Sequence, residues 1–215
     1  MNVTSIPYST IPVSGLTEIN QYPVDDSNFI VNLPLPFLHK FLTVEYSSVN
    51  VSSNSYITFG SGGQPGRCCF GIPQDIPTTV ALPGIFISTS SMDDYLYHLY
   101  TGFTVDQNAL IVKYQGTLCC PGGGPENITL EYNFIFYKNH PYIVDLIIEE
   151  NNQFYNGDPT GGVSDGRSPD FLVTFNSSGG TAYRFDTSES PISANTAQDI
   201  CFYCMSDINN GEVVI

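Results

Sequence analysis

Six cysteines in three doublets are the residues with the most obvious capacity for chemistry in this sequence. Cys68-Cys69 and Cys119-Cys120 are vicinal pairs in Gly/Pro-rich segments, and "CFYC" from Cys201 to Cys204 is a C-x-x-C motif. Such thiols could bind zinc, exchange electrons or form structural disulfides. Zinc sites usually present C-x₂₋₄-C pairs. Only the third doublet has that spacing, so the zinc alternative is a mixed site with one member of each pair.

Structural disulfide bonds are the interpretation that we favour for Cys68, Cys69, Cys119, Cys120, Cys201 and Cys204. A thioredoxin-like role for the C-x-x-C motif would need a βαβ context, which the sequence pattern lacks. Vicinal cysteines rarely pair with each other, so the bridges would join distant segments. Each bridge would contribute about 4 kcal/mol in a chain-entropy model of the unfolded state. Fully reduced thiols are the alternative.

Catalytic constellations are absent from the sequence. Asp93-Asp94 is the only acidic pair near a histidine, His98, and neighbouring residues of a strand would face opposite ways. The sequence contains no H-E-x-x-H, G-x-S-x-G or P-loop motif. We therefore expect a protein that is not an enzyme, with no catalytic residues, no cofactor and no metal centre.

Calcium is a second metal for which weak candidate ligands exist. The segment of residues 151–170 is rich in Asn, Asp and Gly, and Asp158 and Asp165 are its candidate carboxylate ligands. Ca²⁺ takes six to eight oxygen ligands, but the spacing fits no EF-hand. We favour the alternative, a set of turns in which these side chains accept local hydrogen bonds.

N-x-S/T sequons occur at Asn2, Asn50, Asn127 and Asn176. Of these we retain Asn50, Asn127 and Asn176 as candidates for N-glycosylation. The alternative is chance, because a chain rich in Ser, Thr and Asn generates this tripeptide freely.

Low charge density constrains the partners of the protein. Charged residues make up 13% of the sequence and the formal net charge is −15, whereas about a quarter of an average protein is charged. Nucleic-acid binding needs clustered cations to neutralise phosphates. The basic residues are instead scattered: Lys40, Lys113, Lys138, Arg67, Arg167 and Arg184. We therefore expect no nucleic-acid partner and no attraction to anionic membranes.

The cellular compartment has to be inferred from the cysteines. No stretch approaches the roughly 18 apolar residues of a membrane span, and the first residues, MNVTSIPYSTIPVSG, lack the features of a signal peptide. Disulfides normally form in oxidising compartments. Either a signal lies outside this sequence, or the chain is made in the cytosol and oxidised on an exported particle. Met1 is followed directly by a sequence typical of a mature protein, which favours the particle.

The fold class follows from hydrophobic periodicity. Short runs rich in Val, Ile, Tyr, Phe and Thr alternate with Gly/Pro/Asn/Asp clusters, and helical periodicity is nearly absent. We expect an all-β fold, a single antiparallel β-sandwich of jelly-roll-like or nidogen-like type, with about ten strands and long Gly/Pro/Asn loops. The predicted strands are residues 28–34, 41–51, 56–60, 83–89, 95–105, 109–117, 128–139, 141–150, 170–175 and 181–186.

The same pattern predicts the domain organisation. Residues 1–23 are expected to form an N-terminal arm, residues 24–186 the β-sandwich, and residues 187–215 a C-terminal tail whose C-x-x-C motif packs on the domain. The longest strands, within residues 128–150, should pair as a hairpin with even-numbered residues of the first strand in the core and odd-numbered ones outward. Asp106-Gln107-Asn108 should form another tight turn.

One segment carries a family resemblance. VDDSNFIVNLPLPFLHKFLTVEYSSVNVSSNSYITFG, residues 24–60, resembles the start of nidogen-like and related adhesin-type β-domains, whose pattern has an acidic pair, LPF and VxVSSNGYITFG. The matches are Asp25-Asp26 and residues 33–37 and 49–60, with Ser55 in the place of the pattern's glycine. Similar segments occur in surface and capsid-associated proteins of large DNA viruses. In those proteins PPGIFI and a YEG-like strand follow, which residues 82–88 and 113–116 resemble.

The resemblance covers about residues 24–150 and transfers no catalytic residue. Together with the cysteines and the uncharged polar surface, it favours a structural protein of a large virus particle, located in the virion. Such a capsid-associated, vertex, minor-capsid or surface component would contact other capsid or surface proteins within an oligomer or lattice. The alternative is a secreted or cell-surface nidogen-like adhesion module that binds protein or glycan.

Overall fold

The computed structural model describes residues 1–23, 30–52, 55–60, 82–87, 94–118, 129–151, 160–168 and 170–188. These ranges form strands and turns without a helix, so they hold no helix long and apolar enough to cross a bilayer. Their thirteen strands are β1 (Asn2–Ser5), β2 (Thr17–Pro23), β3 (Ile30–Phe41), β4 (Val44–Ser52), β5 (Tyr56–Phe59), β6 (Pro83–Phe86), β7 (Asp94–Phe103), β8 (Ala109–Leu118), β9 (Thr129–Tyr137), β10 (Ile143–Asn151), β11 (Thr160–Asp165), β12 (Val173–Asn176) and β13 (Thr181–Asp186).

The strands of the described ranges form two antiparallel sheets. The seven-stranded sheet has the order β1-β13-β10-β9-β8-β7-β2, and the six-stranded sheet has the order β12-β11-β6-β5-β4-β3. One cluster of buried side chains draws on both sheets, including Phe59 and Val163 from one and Phe134 and Leu146 from the other. Two layers around a shared core confirm the predicted all-β, sandwich-like fold.

The predicted number of strands, about ten, is too low. Residues 2–5 and 17–23, expected to belong to an arm, form the two edge strands of the seven-stranded sheet. The third additional strand, β11, lies where composition predicted only loop. Its Gly161 and Gly162 are needed for packing, because a Cβ there would come 2.4 Å from Phe175 Cζ and 2.3 Å from Phe171 Cγ. Gly161 and Gly162 are therefore explained by the close approach of two aromatic rings and not by a turn.

A hairpin tip divides the predicted strand of residues 41–51. β3 and β4 pair through Phe41 and Val44, so Leu42 and Thr43 form a two-residue connection. Both have positive φ, 49° and 75°, as a type I′ turn requires. Asn-Gly is the usual sequence for such a turn, whereas Leu-Thr is strained, and this is why the pattern did not indicate it.

We predict that T43G stabilises the protein by about 1 kcal/mol, because glycine adopts positive φ without the Cβ penalty. Thr43 is exposed, so little packing is lost. Urea denaturation measures the change. S47G is the matched control: Ser47 is an exposed residue of β4, and glycine there should cost about 0.5–1 kcal/mol. A loss of stability in T43G would show that the turn at Leu42-Thr43 is not strained.

Ser55 has the left-handed backbone conformation that glycine adopts most easily. Its φ is 66°, its side chain is fully buried, and its carbonyl accepts a hydrogen bond of 2.8 Å from Ile87 N–H. The residue that precedes β5 is therefore left-handed although it is not a glycine.

His39 is buried between the two sheets. Its ring stacks on Phe59 at 5.7 Å and meets the edge of Phe136 at 5.2 Å. Neither ring nitrogen has a hydrogen-bond partner among the described residues. Burial disfavours the imidazolium and lowers the pKa of His39 from 6.5 to about 4.

The lowered pKa of His39 predicts that the protein loses stability at pH values above those at which carboxylates titrate. Between pH 6.5 and 4 the unfolded chain binds a proton at His39 that the folded chain does not, so stability falls as pH falls through this window. We expect a contribution of about 2 kcal/mol to the loss between pH 7 and 5. Urea denaturation at both pH values should show that H39F lacks this contribution.

H140N is the control for the acid sensitivity, because His140 is an exposed turn residue. It should lose stability between pH 7 and 5 as the wild type does. An H39F variant with an unchanged pH dependence would show that His39 is not the group responsible.

Candidate functional site

Residues 6–16, which we call the strap, cross the outer face of the seven-stranded sheet. They connect β1 at one edge to β2 at the other. At about 4.8 Å per strand interval the edges lie about 29 Å apart. An extended residue spans about 3.3 Å, so eleven residues can cross this distance and still include the turn at residues 13–16, where Leu16 N–H donates to Val13 O at 3.0 Å. Its three large apolar anchors, Ile6, Ile11 and Leu16, pack on a row formed by Ala109, Ile111, Ile135, Ile147 and Ala182.

The centre of the strap is held through its main chain. The N–H of Ile11 donates to Glu149 Oε1 at 2.8 Å, and the carbonyl of Ile11 accepts from Lys113 Nζ at 2.7 Å. Two side chains of opposite charge thus bind both polar groups of one peptide residue. We call Lys113 and Glu149 the clamp.

The clamp is part of a buried ionic cluster. Lys113 is 1% exposed and forms salt bridges with Glu131 and, at 2.8 Å, with Glu149. Burial acts to raise the pKa of Glu149, but hydrogen bonds from Lys113, Ile11 N–H and Asn133 outweigh burial and hold that pKa below its usual value. Glu149 is therefore a fixed carboxylate at neutral pH.

A β-bulge gives Glu149 its position. The pairing of β10 with β9 shifts register between Ile148 and Glu150, which leaves Glu149 as the extra residue. Bulges bend a strand and re-aim the side chain at that point. Asn133 on β9 donates to Glu149 Oε1 at 2.7 Å, and Gln115 on β8 donates to Glu131 Oε1 at 2.8 Å. Strands β8, β9 and β10 thus all contribute to the cluster.

Two carboxylates on adjacent strands could in principle serve as the acid and base of a glycosidase. A general acid needs a raised pKa, whereas the pKa of Glu149 is lowered and both Glu131 and Glu149 are paired with Lys113. The strap also lies on the cluster. The ionic cluster therefore serves to attach the strap to the seven-stranded sheet.

A second ionic group lies on the same outer face. Arg184 on β13 donates from Nε and Nη2 to the two carboxylate oxygens of Asp145 on β10, both at 2.8 Å. Tyr137 on β9 donates its hydroxyl to Asp145 Oδ2 at 2.7 Å. Burial and the Asp145 carboxylate raise the pKa of Tyr137. This group joins three strands and leaves Asp145 only 3% exposed.

The predicted hairpin of residues 128–150 is confirmed, but one of its faces is not the expected solvent-facing surface. Leu130, Tyr132, Phe134 and Phe136 lie in the core as predicted. Of the odd-numbered residues, Asn133 is fully buried and Ile135 is 6% exposed, because the strap covers them.

Three neighbouring turns form one end of the sandwich, which we call the turn end: residues 42–43, 104–108 and 138–142. Lys138 N–H donates to Asn108 O at 2.8 Å, and Lys40 N–H donates to Pro141 O at 2.7 Å, which ties the three together. The predicted turn at Asp106-Gln107-Asn108 is confirmed within it. Large apolar side chains are exposed on or beside these turns: Leu38, Val44, Phe103 and the fully exposed Val105.

Most of the candidate residues from the sequence fall outside the described ranges. Cys68, Cys69, Cys119, Cys120, Cys201 and Cys204 do so, as do Asn127 and Asp158. The disulfide interpretation therefore stays a prediction. Asp93 also lies outside these ranges. His98 on β7 contacts Glu18 on β2, with Nδ1 of His98 2.6 Å from Oε1 of Glu18.

The two described sequon candidates differ in accessibility. Asn50 is 3% exposed, and its Nδ2, the atom that would carry a glycan, donates to Gly60 O at 2.6 Å. A glycan on Asn50 would have to replace this contact. Asn176 is exposed, and its Oδ1 accepts hydrogen bonds from Ser178 N–H and Oγ at 2.9 and 2.7 Å. Glycosylation stays a prediction at both.

Asp165 makes the local contacts of a turn. Its carboxylate accepts hydrogen bonds from the N–H groups of Arg167 and Ser168, both at 2.8 Å, and from Ser168 Oγ at 3.1 Å. Burial acts to raise the pKa of Asp165, but these bonds outweigh it and lower the pKa. Among the described residues no three His, Cys, Asp or Glu side chains converge on a possible metal position.

Comparison with known proteins gives no match among protein-family models, curated proteins or solved structures.

We predict that K113M lowers the free energy of unfolding by about 3–5 kcal/mol, because it leaves two partly buried carboxylates without their cation. Urea denaturation measures the loss. K138M is the matched control, since Lys138 is exposed, and should change stability by no more than about 0.5 kcal/mol. Equal stabilities of the two variants would mean that the ionic cluster does not hold the outer face together.

Proposed function

We propose that this chain is a non-enzymatic structural component of a large virus particle. It would be capsid-associated, a vertex or minor-capsid protein, or a surface component, and would act through contacts with other capsid or surface proteins. We place it in the virion, without a nucleic-acid partner or membrane insertion. The proposal is supported by the contacts of the two ionic clusters on the seven-stranded sheet: the Lys113 cluster binds the strap to the sheet, and the Asp145–Arg184 group joins three strands.

The observation that carries the proposal is the apolar character of the turn end. Val105 is fully exposed, Phe103 is 48% exposed and Val44 is 47% exposed. Scattered apolar residues are ordinary on a surface, whereas apolar residues grouped on one part of it are typical of protein contacts. An open depression of about 270 Å³ lies at the same end, with His140, Tyr142 and Asp186 in its wall.

Strand order argues against the jelly-roll-like form of the sandwich. β3 to β6 are consecutive neighbours in one sheet and β7 to β10 in the other. A jelly roll instead wraps its strands as two Greek keys.

A secreted or cell-surface adhesion module of the nidogen-like type is the second candidate. The observation that favours it is the exposure of two sequon asparagines: Asn176, a candidate from the sequence, and Asn2, which the sequence alone did not retain as a candidate. Both would be accessible to N-glycosylation in the secretory pathway.

Mass spectrometry of purified particles under non-reducing conditions separates the two candidates. A structural component should be present in stoichiometric amounts, without N-glycans, and its cysteines should be found in disulfide-linked peptides. Absence of the protein from purified particles would contradict the proposal. Glycosylation of Asn2 or Asn176 on a secreted, monomeric chain would establish the adhesion module in its place.

We predict that V105D reduces incorporation into particles at least tenfold, because a carboxylate would have to be desolvated in an apolar contact. Stability should be unchanged, since Val105 has no packing to lose. T174D is the matched control: it puts the same charge on an exposed residue of the other sheet. Normal incorporation of V105D would show that the turn end is not the contact surface.

A further inference from the structure

We propose that the outer face of the seven-stranded sheet is a peptide-binding site that accepts the strap of a second copy of this chain in place of its own. Copies would then be joined by exchanged straps. The inference rests on the proposed function, because an assembly is what brings copies close enough for exchange.

The contacts of the strap are the first reason. The clamp binds the N–H and C=O of Ile11, groups that every copy of the chain presents in the same way. The sockets are equally specific for this segment. At Gly102 a Cβ would come 2.6 Å from Leu16 Cδ2, so the absence of a side chain there makes room for the end of the strap. A strap from a second copy would reproduce these contacts one for one, which is what makes segment exchange a low-cost route to dimers.

The separation of the strap from the main core is the second reason. Ile6, Ile11 and Leu16 belong to an apolar cluster distinct from the one between the two sheets. Because the strap follows β1, withdrawing it also removes Met1 and Val3 from the edge of the inter-sheet core, whereas β3 to β13 stay packed on one another.

A vacant outer face would be unfavourable, which is the third reason. Without a strap, Ile111, Ile135 and Ile147 would be exposed, and Lys113 would lose the carbonyl that completes its contacts. Buried charges are tolerated only when paired and hydrogen-bonded. Each face should thus hold a strap at all times, its own or that of a neighbour, and exchange satisfies this condition.

Net charge sets the conditions for exchange. Copies with a formal charge of −15 repel one another, and salt screens this repulsion over about 10 Å at 0.1 M. Exchange should therefore increase with protein concentration and with ionic strength.

Photo-crosslinking of the purified full-length protein tests the proposal. Tyr8 is 41% exposed and lies on the strap three residues before Ile11, the residue that the clamp binds. Benzoylphenylalanine would replace Tyr8 in ¹⁵N-labelled and unlabelled chains, which are mixed, incubated at 0.5 M NaCl and irradiated. We expect crosslinks between the strap and β8–β10 that join a labelled to an unlabelled peptide.

Benzoylphenylalanine in place of Thr174, an exposed residue of the other sheet, measures random collisions. Val13, also exposed and on the strap, is the second probe position if the Tyr8 variant does not fold. Mixed-isotope crosslinks at least fivefold above the Thr174 background would support exchange. Crosslinks confined to single-isotope pairs would overturn it. Because no particle is present, this result is independent of whether the protein is found in virions.

Discussion

The buried ammonium group of Lys113 imposes the constraint on which the outer half of this structure depends. A cation that is 1% exposed needs compensating partners on all sides. Glu131 and Glu149 supply the charge, and the Ile11 carbonyl supplies the last acceptor from above the sheet. That acceptor is present only if the strap crosses the sheet. The crossing in turn delivers β1 to one edge and β2 to the other.

The path of the strap also determines which strands form the edges of the seven-stranded sheet. Unpaired edge strands are templates for aggregation, and natural proteins cover them or interrupt them with proline and charge. Among the described strands, β1 at one edge of the seven-stranded sheet has only four residues. In the six-stranded sheet the edge strand β3 carries Pro34 and Pro36, and its register with β4 shifts just after Pro34. These two edges are thus poor templates for pairing with another chain.

Local pattern was enough to predict the part of the fold in which side chains alternate between core and surface. The β9–β10 hairpin and the turn at Asp106 follow from it directly. β11 could not be predicted, because Gly161 and Gly162 are selected by contact with aromatic rings from other strands. The clamp could not be predicted either. A lysine at an alternate position of a strand indicates a solvent-facing side chain, and Lys113 is buried by a residue 102 positions away through a main-chain contact that leaves no signature in sequence.

Amide hydrogen exchange at Ile11 tests most directly the claim that Lys113 and Glu149 hold the strap. The Ile11 N–H donates to Glu149 Oε1 although it belongs to no strand, and hydrogen-bonded, covered amides exchange slowly. We expect strong protection of this amide in the wild type and its loss in E149A, with protection in β9 and β10 retained. An Ile11 amide that exchanges as fast as in an unstructured chain would show that Lys113 and Glu149 do not hold the strap.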